Sequence, residues 1–167
     1  MEIIAHSWTH GTGKTYAMLG TVTDQMIKNP GKRVDMLTGF ARSCPLPINL
    51  DSTGMSQLWI FASMIKSMLG SKADILVCDR TIYDVIAYTV VGAKDYALAD
   101  WMLESVKHGL IKYDKIYFHL GEKHNYCKDD GLRCLDVDFR ERIDKWLVRF
   151  YKESGIEIVE YGRKDDL

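Results

Sequence analysis

Short apolar runs and helically spaced apolar positions take turns along the chain. Glu2-Ile3-Ile4-Ala5-His6 is the first run and predicts a strand. Beyond a glycine-containing turn, Tyr16, Met18, Leu19, Val22, Met26 and Ile27 recur at helical spacing until Pro30-Gly31 stops them. Arg33-Val34-Asp35-Met36-Leu37 predicts a second strand, and Thr38 to Thr53 a loop with two of the three prolines. Apolar positions 55, 58, 59, 62, 65, 68 and 69 predict a helix from Met55 to Leu69. Ile75-Leu76-Val77-Cys78 is apolar throughout, the pattern of a strand buried on both faces of a parallel sheet. Helices at about 81–92 and 95–109, a strand over Lys115–Leu120, a helix over 138–153 and a last strand over Ile156–Glu160 complete the pattern. Gly121 to Asp136 is too hydrophilic for core.

Alternation of strand and helix predicts an α/β fold in three αβα layers, with five parallel strands between helices. Such sheets bind ligands at the carboxyl ends of their strands. The glycine turn, Asp79-Arg80 and the polar stretch after the fourth strand all fall there. At 167 residues the chain suits one domain, 1–167, with about 121–137 free to form a lid.

Composition narrows the class. Hydrophobic residues make up 47% and charged residues 27%, so a folded core is expected. Lys and Arg total 22 against 23 acids, a formal charge of −1, which excludes a uniformly basic nucleic-acid binder but not a local basic groove. No run of about 18 apolar residues predicts a membrane span, and the N-terminus lacks a signal-peptide pattern. The expectation is a soluble cytoplasmic protein with no membrane partner. Cys44, Cys78, Cys127 and Cys134 form no CxxC pair and read as reduced thiols; with His124 they match no standard zinc spacing.

Thr9-His10-Gly11-Thr12-Gly13-Lys14-Thr15, between a strand and a helix, is the second half of a phosphate-binding loop. Glycines let backbone N–H groups point at phosphate oxygens, and the helix adds its positive end. His10, Gly11, Thr12, Gly13, Lys14 and Thr15 are the nucleotide-binding candidates. Lys14 would bridge the β- and γ-phosphates and the Thr15 hydroxyl would bind Mg²⁺. The full pattern asks for glycine where this chain has Trp8.

Asp79 is the candidate for holding a metal-bound water or taking a proton, and Arg80 for clamping an anionic group. Asp84 and Tyr88 share a helical face with Arg80 and would line the same pocket. Arg42, in the loop Ala41 to Asn49, is a further anion contact. In the polar stretch, Arg133 of Asp129-Asp130-Gly131-Leu132-Arg133 would neutralise a transferring phosphoryl group, with Lys123, His124 and Lys128 assisting. Arg142, Lys145, Arg149 and Lys152 form a basic stripe on the last helix, opposite Phe139, Ile143, Trp146 and Phe150. Asp138 and Glu141 partly interleave with it.

These motifs resemble small P-loop kinases of the thymidylate-kinase and nicotinamide-riboside-kinase type, closest to a phage-encoded branch. The branch pattern is T-H-x-T-G-K-T, A-R-x-C-P-x-P-I-N, D-R-x-x-x-D-x-x-A-Y and D-D-G-x-R. The chain carries it at Thr9 to Thr15, Ala41 to Asn49, Asp79 to Tyr88 and Asp129 to Arg133. The resemblance implies a P-loop kinase fold with a short lid, ATP and Mg²⁺ as cofactors, Lys14, Thr15 and Arg133 on the triphosphate, and Thr15 with Asp79 at the metal. It implies transfer to a nucleoside, a nucleotide or a modified base, the last being 5-hydroxymethyluracil within DNA, in the host cytoplasm. A non-catalytic nucleotide-binding module is the contrasting reading, and a homodimer is compatible with the sequence. Relatives often place an acid near the end of the second strand, where this chain has Thr38-Gly39-Phe40, so Asp35 stands beside Asp79 as an acceptor contact or general base.

Overall fold

The computed structural model of the protein describes residues 1–8, 14–119, 136–156 and 158–160. Its strands are β1 (Glu2–Ser7), β2 (Val34–Leu37), β3 (Ile75–Asp79), β4 (Lys115–Phe118) and β5 (Ile158–Glu160). Its α-helices are α1 (Lys14–Lys28), α2 (Phe40–Ser43), α3 (Gly54–Gly70), α4 (Ile82–Tyr88), α5 (Tyr96–Lys107) and α6 (Val137–Glu153). The strands form one parallel sheet in the order β2-β3-β1-β4-β5. Ile75, Leu76 and Val77 of β3 are fully buried, as the unbroken apolar run requires.

Helices cover the two faces unequally. On one face α1 packs over Ile4, Val34, Ile75 and Val77 through Met18. On the other, α3, α4, α5 and α6 build the main core around Leu76, Ile86, Met102, Phe118, Ile143 and Leu147. No helix among the described residues is long and apolar enough to cross a membrane.

Several local expectations change. The segment read as loop, 38–53, contains α2 and a 3₁₀ turn at Asn49–Asp51. The helix expected over 81–92 stops at Tyr88 and continues as a π-helical turn, Thr89–Ala93. Gly92 in that turn lies against the 3₁₀ turn: a Cβ there would stand 2.7 Å from the Asn49 carbonyl oxygen. Wider π spacing and a glycine let the two segments pack backbone to backbone.

Two helices turn a different face inward from the one their apolar spacing suggests. On α1, Tyr16 and Ile27 are 86% and 73% exposed, while Lys14, Ala17, Met18 and Thr21 are buried. On α3, Met55 and Leu69 are exposed, while Ser56, Gln57, Ile60, Phe61, Met64 and Met68 are buried. Both inward faces carry polar groups that find partners. Thr21 meets His6, and Gln57 donates to Ser52 at 3.0 Å. A satisfied polar group tolerates burial, so apolarity alone does not choose the face.

Candidate active site

Sheet order decides what meets at the carboxyl edge. β1 and β3 are neighbours with His6 opposite Asp79. Beyond them the chain departs to opposite faces, α1 to one and α4 to the other. This divergence opens the crevice in which α/β sheets take ligands.

Four side chains from three segments, α1, β3 and the turn past β2, gather on its phosphate side. Lys14 is the first residue of α1 and is buried. Burial, then the charge of Arg80, lowers its pKa to about 7, against the opposing pull of Asp84, Asp79 and Asp144. Thr15 donates its hydroxyl proton to Asp79 Oδ2 at 3.1 Å. Thr38, just past β2, donates to the same oxygen at 3.2 Å. Hydroxyl and carboxylate oxygens are the hard donors Mg²⁺ takes, so Thr15 and Asp79 fit that ion.

Arg80 has the left-handed backbone angle φ +98° and turns its side chain to the α4 face. Its Nη1 meets Asp84 Oδ1 at 3.3 Å, and its guanidinium lies over the Tyr88 ring at 5.2 Å. Burial opposes its charge, but Tyr88, Asp84 and Asp79 outweigh that and raise its pKa. Asp84 itself is fully buried. Its Oδ2 accepts from Ser7 Oγ, Thr81 N and Thr81 Oγ1, each at 2.8 Å. Tyr151 of α6 donates to Ser7 Oγ at 2.6 Å and lies 2.9 Å from Thr81 Oγ1. β1, α4 and α6 are thus tied to one carboxylate, which holds the Arg80 guanidinium.

A second polar cluster lies on the α1 face. His6 Nδ1 is 2.9 Å from His119 Nε2, and His6 Nε2 is 2.9 Å from Thr21 Oγ1. Burial lowers the His6 pKa to about 4, with Lys14 adding to it and Asp79 opposing. Burial, then His6 and Lys14, lowers that of His119 to about 3. Both rings are neutral near neutral pH, which suits a site beside a buried lysine.

The structure brings together Lys14, Thr15, Asp79 and Arg80 among the residues singled out from the sequence. It corrects three others. Asp35 pairs with Leu76, well short of Asp79 along the sheet, and its carboxylate meets Arg33 at 2.8 Å. With Lys66 it lines an open groove of about 650 Å³ beside β2, not the crevice. Asp84 and Tyr88 do not line the pocket as acceptor contacts; they are buried beneath Arg80 and hold it. Arg42 sits exposed on α2, beyond the carboxyl end of β2. His10, Gly11, Thr12, Gly13 and Arg133 lie outside the described residues, as does the lid apart from Asp136 and Val137.

Sequence reasoning missed Ser7, Thr38, Tyr151 and the His6–His119 pair. Asp84 left a readable signal, because Thr81-x-x-Asp84 is a capping box and both of its hydrogen bonds form. Tyr151 left none, since its partner Ser7 is 144 residues away.

The fold is found again in solved nucleotide and nucleoside kinases. The crystal structure of thymidylate kinase from Ehrlichia chaffeensis matches with a TM-score of 0.69 at 16% identity, covering 95% of this chain and 91% of that one. Deoxyadenosine kinase from M. mycoides, a structure with products dCMP and a flexible dCDP bound, matches with a TM-score of 0.64 at 14% identity, covering 99% and 91%. No curated protein matches by sequence. A family model described as AAA domain, AAA_28, matches residues 49–165, well over half the chain and including Asp79, Arg80, Asp84 and Tyr151. On that match the chain belongs to the AAA domain family, and its sheet and helices are those of the P-loop nucleotide kinases.

Proposed function

We propose that the protein is a phosphotransferase that moves the γ-phosphoryl group of ATP, with Mg²⁺, to a hydroxyl or phosphate of a nucleoside- or nucleotide-like acceptor. The observation that carries this reading is the meeting of Lys14, the Thr15 hydroxyl and Asp79 at the mouth of β1 and β3. An acceptor oxygen attacks the γ-phosphorus in line, the bond to the β–γ bridging oxygen breaks, and ADP leaves with that electron pair. Lys14 regains its proton against the phosphates and balances charge as the bond breaks. Thr15 and Asp79 would hold Mg²⁺, which would supply charge neutralisation at the phosphate oxygens. Asp79 takes or relays the acceptor proton, and Arg80 orients the anionic partner. Arg133 has the lid role that the sequence gives it.

Lys14→Ala is expected to lower acceptor-dependent turnover at least about 1,000-fold while circular dichroism keeps the native signal. Turnover near wild type would remove the assignment. γ-Labelled ATP offered with nucleosides, nucleotides and DNA in turn identifies the acceptor. Tight ATP binding with no transfer to any of them would mean a nucleotide-binding regulatory module instead. One observation favours an acceptor base within DNA: Arg142, Lys145, Arg149 and Lys152 are all exposed along α6. Label entering DNA that contains 5-hydroxymethyluracil, with strong salt dependence, would support that acceptor. Label entering only free nucleotide would exclude it.

A further inference from the structure

Trp8 stands where the phosphate-loop pattern has glycine, and it has kept a glycine's backbone. Its φ is +134°, a region that L side chains rarely adopt and a bulky one least of all. Arg80, at the end of the neighbouring strand, has φ +98°. The backbone of Arg80 bonds to that of β1, N–H to the His6 carbonyl at 2.9 Å. Two left-handed non-glycine residues therefore flank the same crevice, the kind of strain that persists where surrounding structure holds it in place for a purpose.

The Trp8 side chain is anchored and only partly covered. Its ring stands edge-on against Phe118, centroids 3.9 Å apart and planes at 79°. Phe118 is itself buried and packed edge-on against Tyr151 at 5.8 Å. The indole is half-buried, and Trp8 directly follows β1, at the carboxyl edge of the sheet. A rigid ring with a buried support and an open side is a stacking platform, which costs little side-chain freedom to use. Neither loop closure nor phosphate binding needs an indole here; a glycine would meet both without strain.

We propose that Trp8 is a specificity-determining residue of the acceptor site, giving its indole as a stacking wall for a flat heteroaromatic ring. Arg80 takes the anionic end of the same molecule. The acceptor class this selects is a nucleobase-bearing compound, not an open-chain or sugar-only phosphate. The proposal rests on the kinase reading above and adds the residue that would recognise the base of the acceptor.

The test uses the full chain with Trp8→Gly and Trp8→Phe, γ-labelled ATP, and two acceptor types: pyrimidine and purine nucleoside monophosphates on one side, deoxyribose 5-phosphate on the other. Wild type is expected to phosphorylate a base-bearing acceptor and to ignore the sugar phosphate. Trp8→Gly should raise the KM of the base-bearing acceptor at least about tenfold, the scale of a lost base–aromatic stack, with kcat and the KM of ATP within about twofold. Trp8→Phe should restore most of the loss. Melting temperature separates a binding effect from misfolding: backbone relief by glycine opposes the loss of the ring's packing against Phe118, and a cooperative transition well above the assay temperature in both variants shows that they are folded. An unchanged acceptor KM in Trp8→Gly, or a rise in the ATP KM equal to that of the acceptor, would overturn the proposal. A wild-type chain that transfers phosphate to no acceptor would instead overturn the kinase reading.

Discussion

His6 and Ser7 are consecutive residues of β1, and alternation sends their side chains to opposite faces of the sheet, where each joins a different buried polar cluster. Ser7 belongs to a charged one, in which the Asp84 carboxylate accepts from Ser7, Thr81 and Arg80. His6 belongs to a neutral one, a ladder from Thr21 through His6 to His119. The contrast follows from what each supports. Under Arg80 a negative charge is useful, since it offsets the guanidinium and fixes its direction. Beside Lys14 a further positive charge would add to the repulsion that already lowers that lysine, and a buried imidazole that stays uncharged avoids it. One strand thus presets an arginine on one face and spares a lysine on the other.

Removing the carboxylate breaks the contrast most sharply. Asp84→Ala leaves Ser7, Thr81 and Arg80 without their common acceptor and takes from a partly buried cation the carboxylate that pairs with it. A loss of about 3 kcal/mol is expected, read as a lower urea midpoint with unchanged slope. Turnover should fall with it, because Arg80 loses its direction. A loss under about 1 kcal/mol would mean that Arg80 is held by Tyr88 alone and that the cluster is not organised around its charge.

Much of this was legible in the sequence and some was not. Ile75 to Cys78 reads as a buried strand because an unbroken apolar run has few other homes, and it locates Asp79 and Arg80 at a strand end. Lys14 and Thr15 read as a phosphate site because the loop chemistry is local. Asp84 was misread because i to i+4 spacing from Arg80 marks a shared helix face without saying whether that face is wet. Asp35 was misread because the strand register, which sets it opposite Leu76, is a property of the sheet. Apolar spacing located α1 and α3 but not their inward faces, because both helices carry apolar residues on more than one side and partners for Thr21 and Gln57 help decide between them.

The neutral ladder is tested by acid. The folded pKa values of His6 and His119 are lowered to about 4 and about 3, from 6.5. Between those values and 6.5 the unfolded chain binds more protons, so stability rises with pH through that window and levels off above it. Wild type should therefore lose about 4 kcal/mol between pH 7.5 and pH 5 from this pair, about 2 kcal/mol from each ring. His119→Gln removes one titrating ring and should flatten the difference between the two pH values, whatever its absolute stability. An equal drop in wild type and variant would assign the acid sensitivity to other groups and leave the ladder's neutrality without consequence.

The smallest change asks how far the charged cluster acts as a unit. Tyr151→Phe removes one hydroxyl, which donates to Ser7 at 2.6 Å and lies 2.9 Å from Thr81. The ring keeps its packing against Phe118 and Tyr83, so the loss is confined to hydrogen bonds. Burial and the nearby Asp84 raise the Tyr151 pKa well above the usual value, so it is a neutral phenol wherever the protein is folded near neutrality, and no charge disappears with it. Ser7 and Thr81 still donate to Asp84 in the variant. A cost of about 1 kcal/mol is expected, with acceptor KM unchanged. If Tyr151→Phe instead matches Asp84→Ala in both stability and turnover, the α6 hydroxyl is as necessary as the carboxylate. Arg80 would then be set by the α6 helix, packed against α4 on the same face of the sheet, and not by its own helix turn.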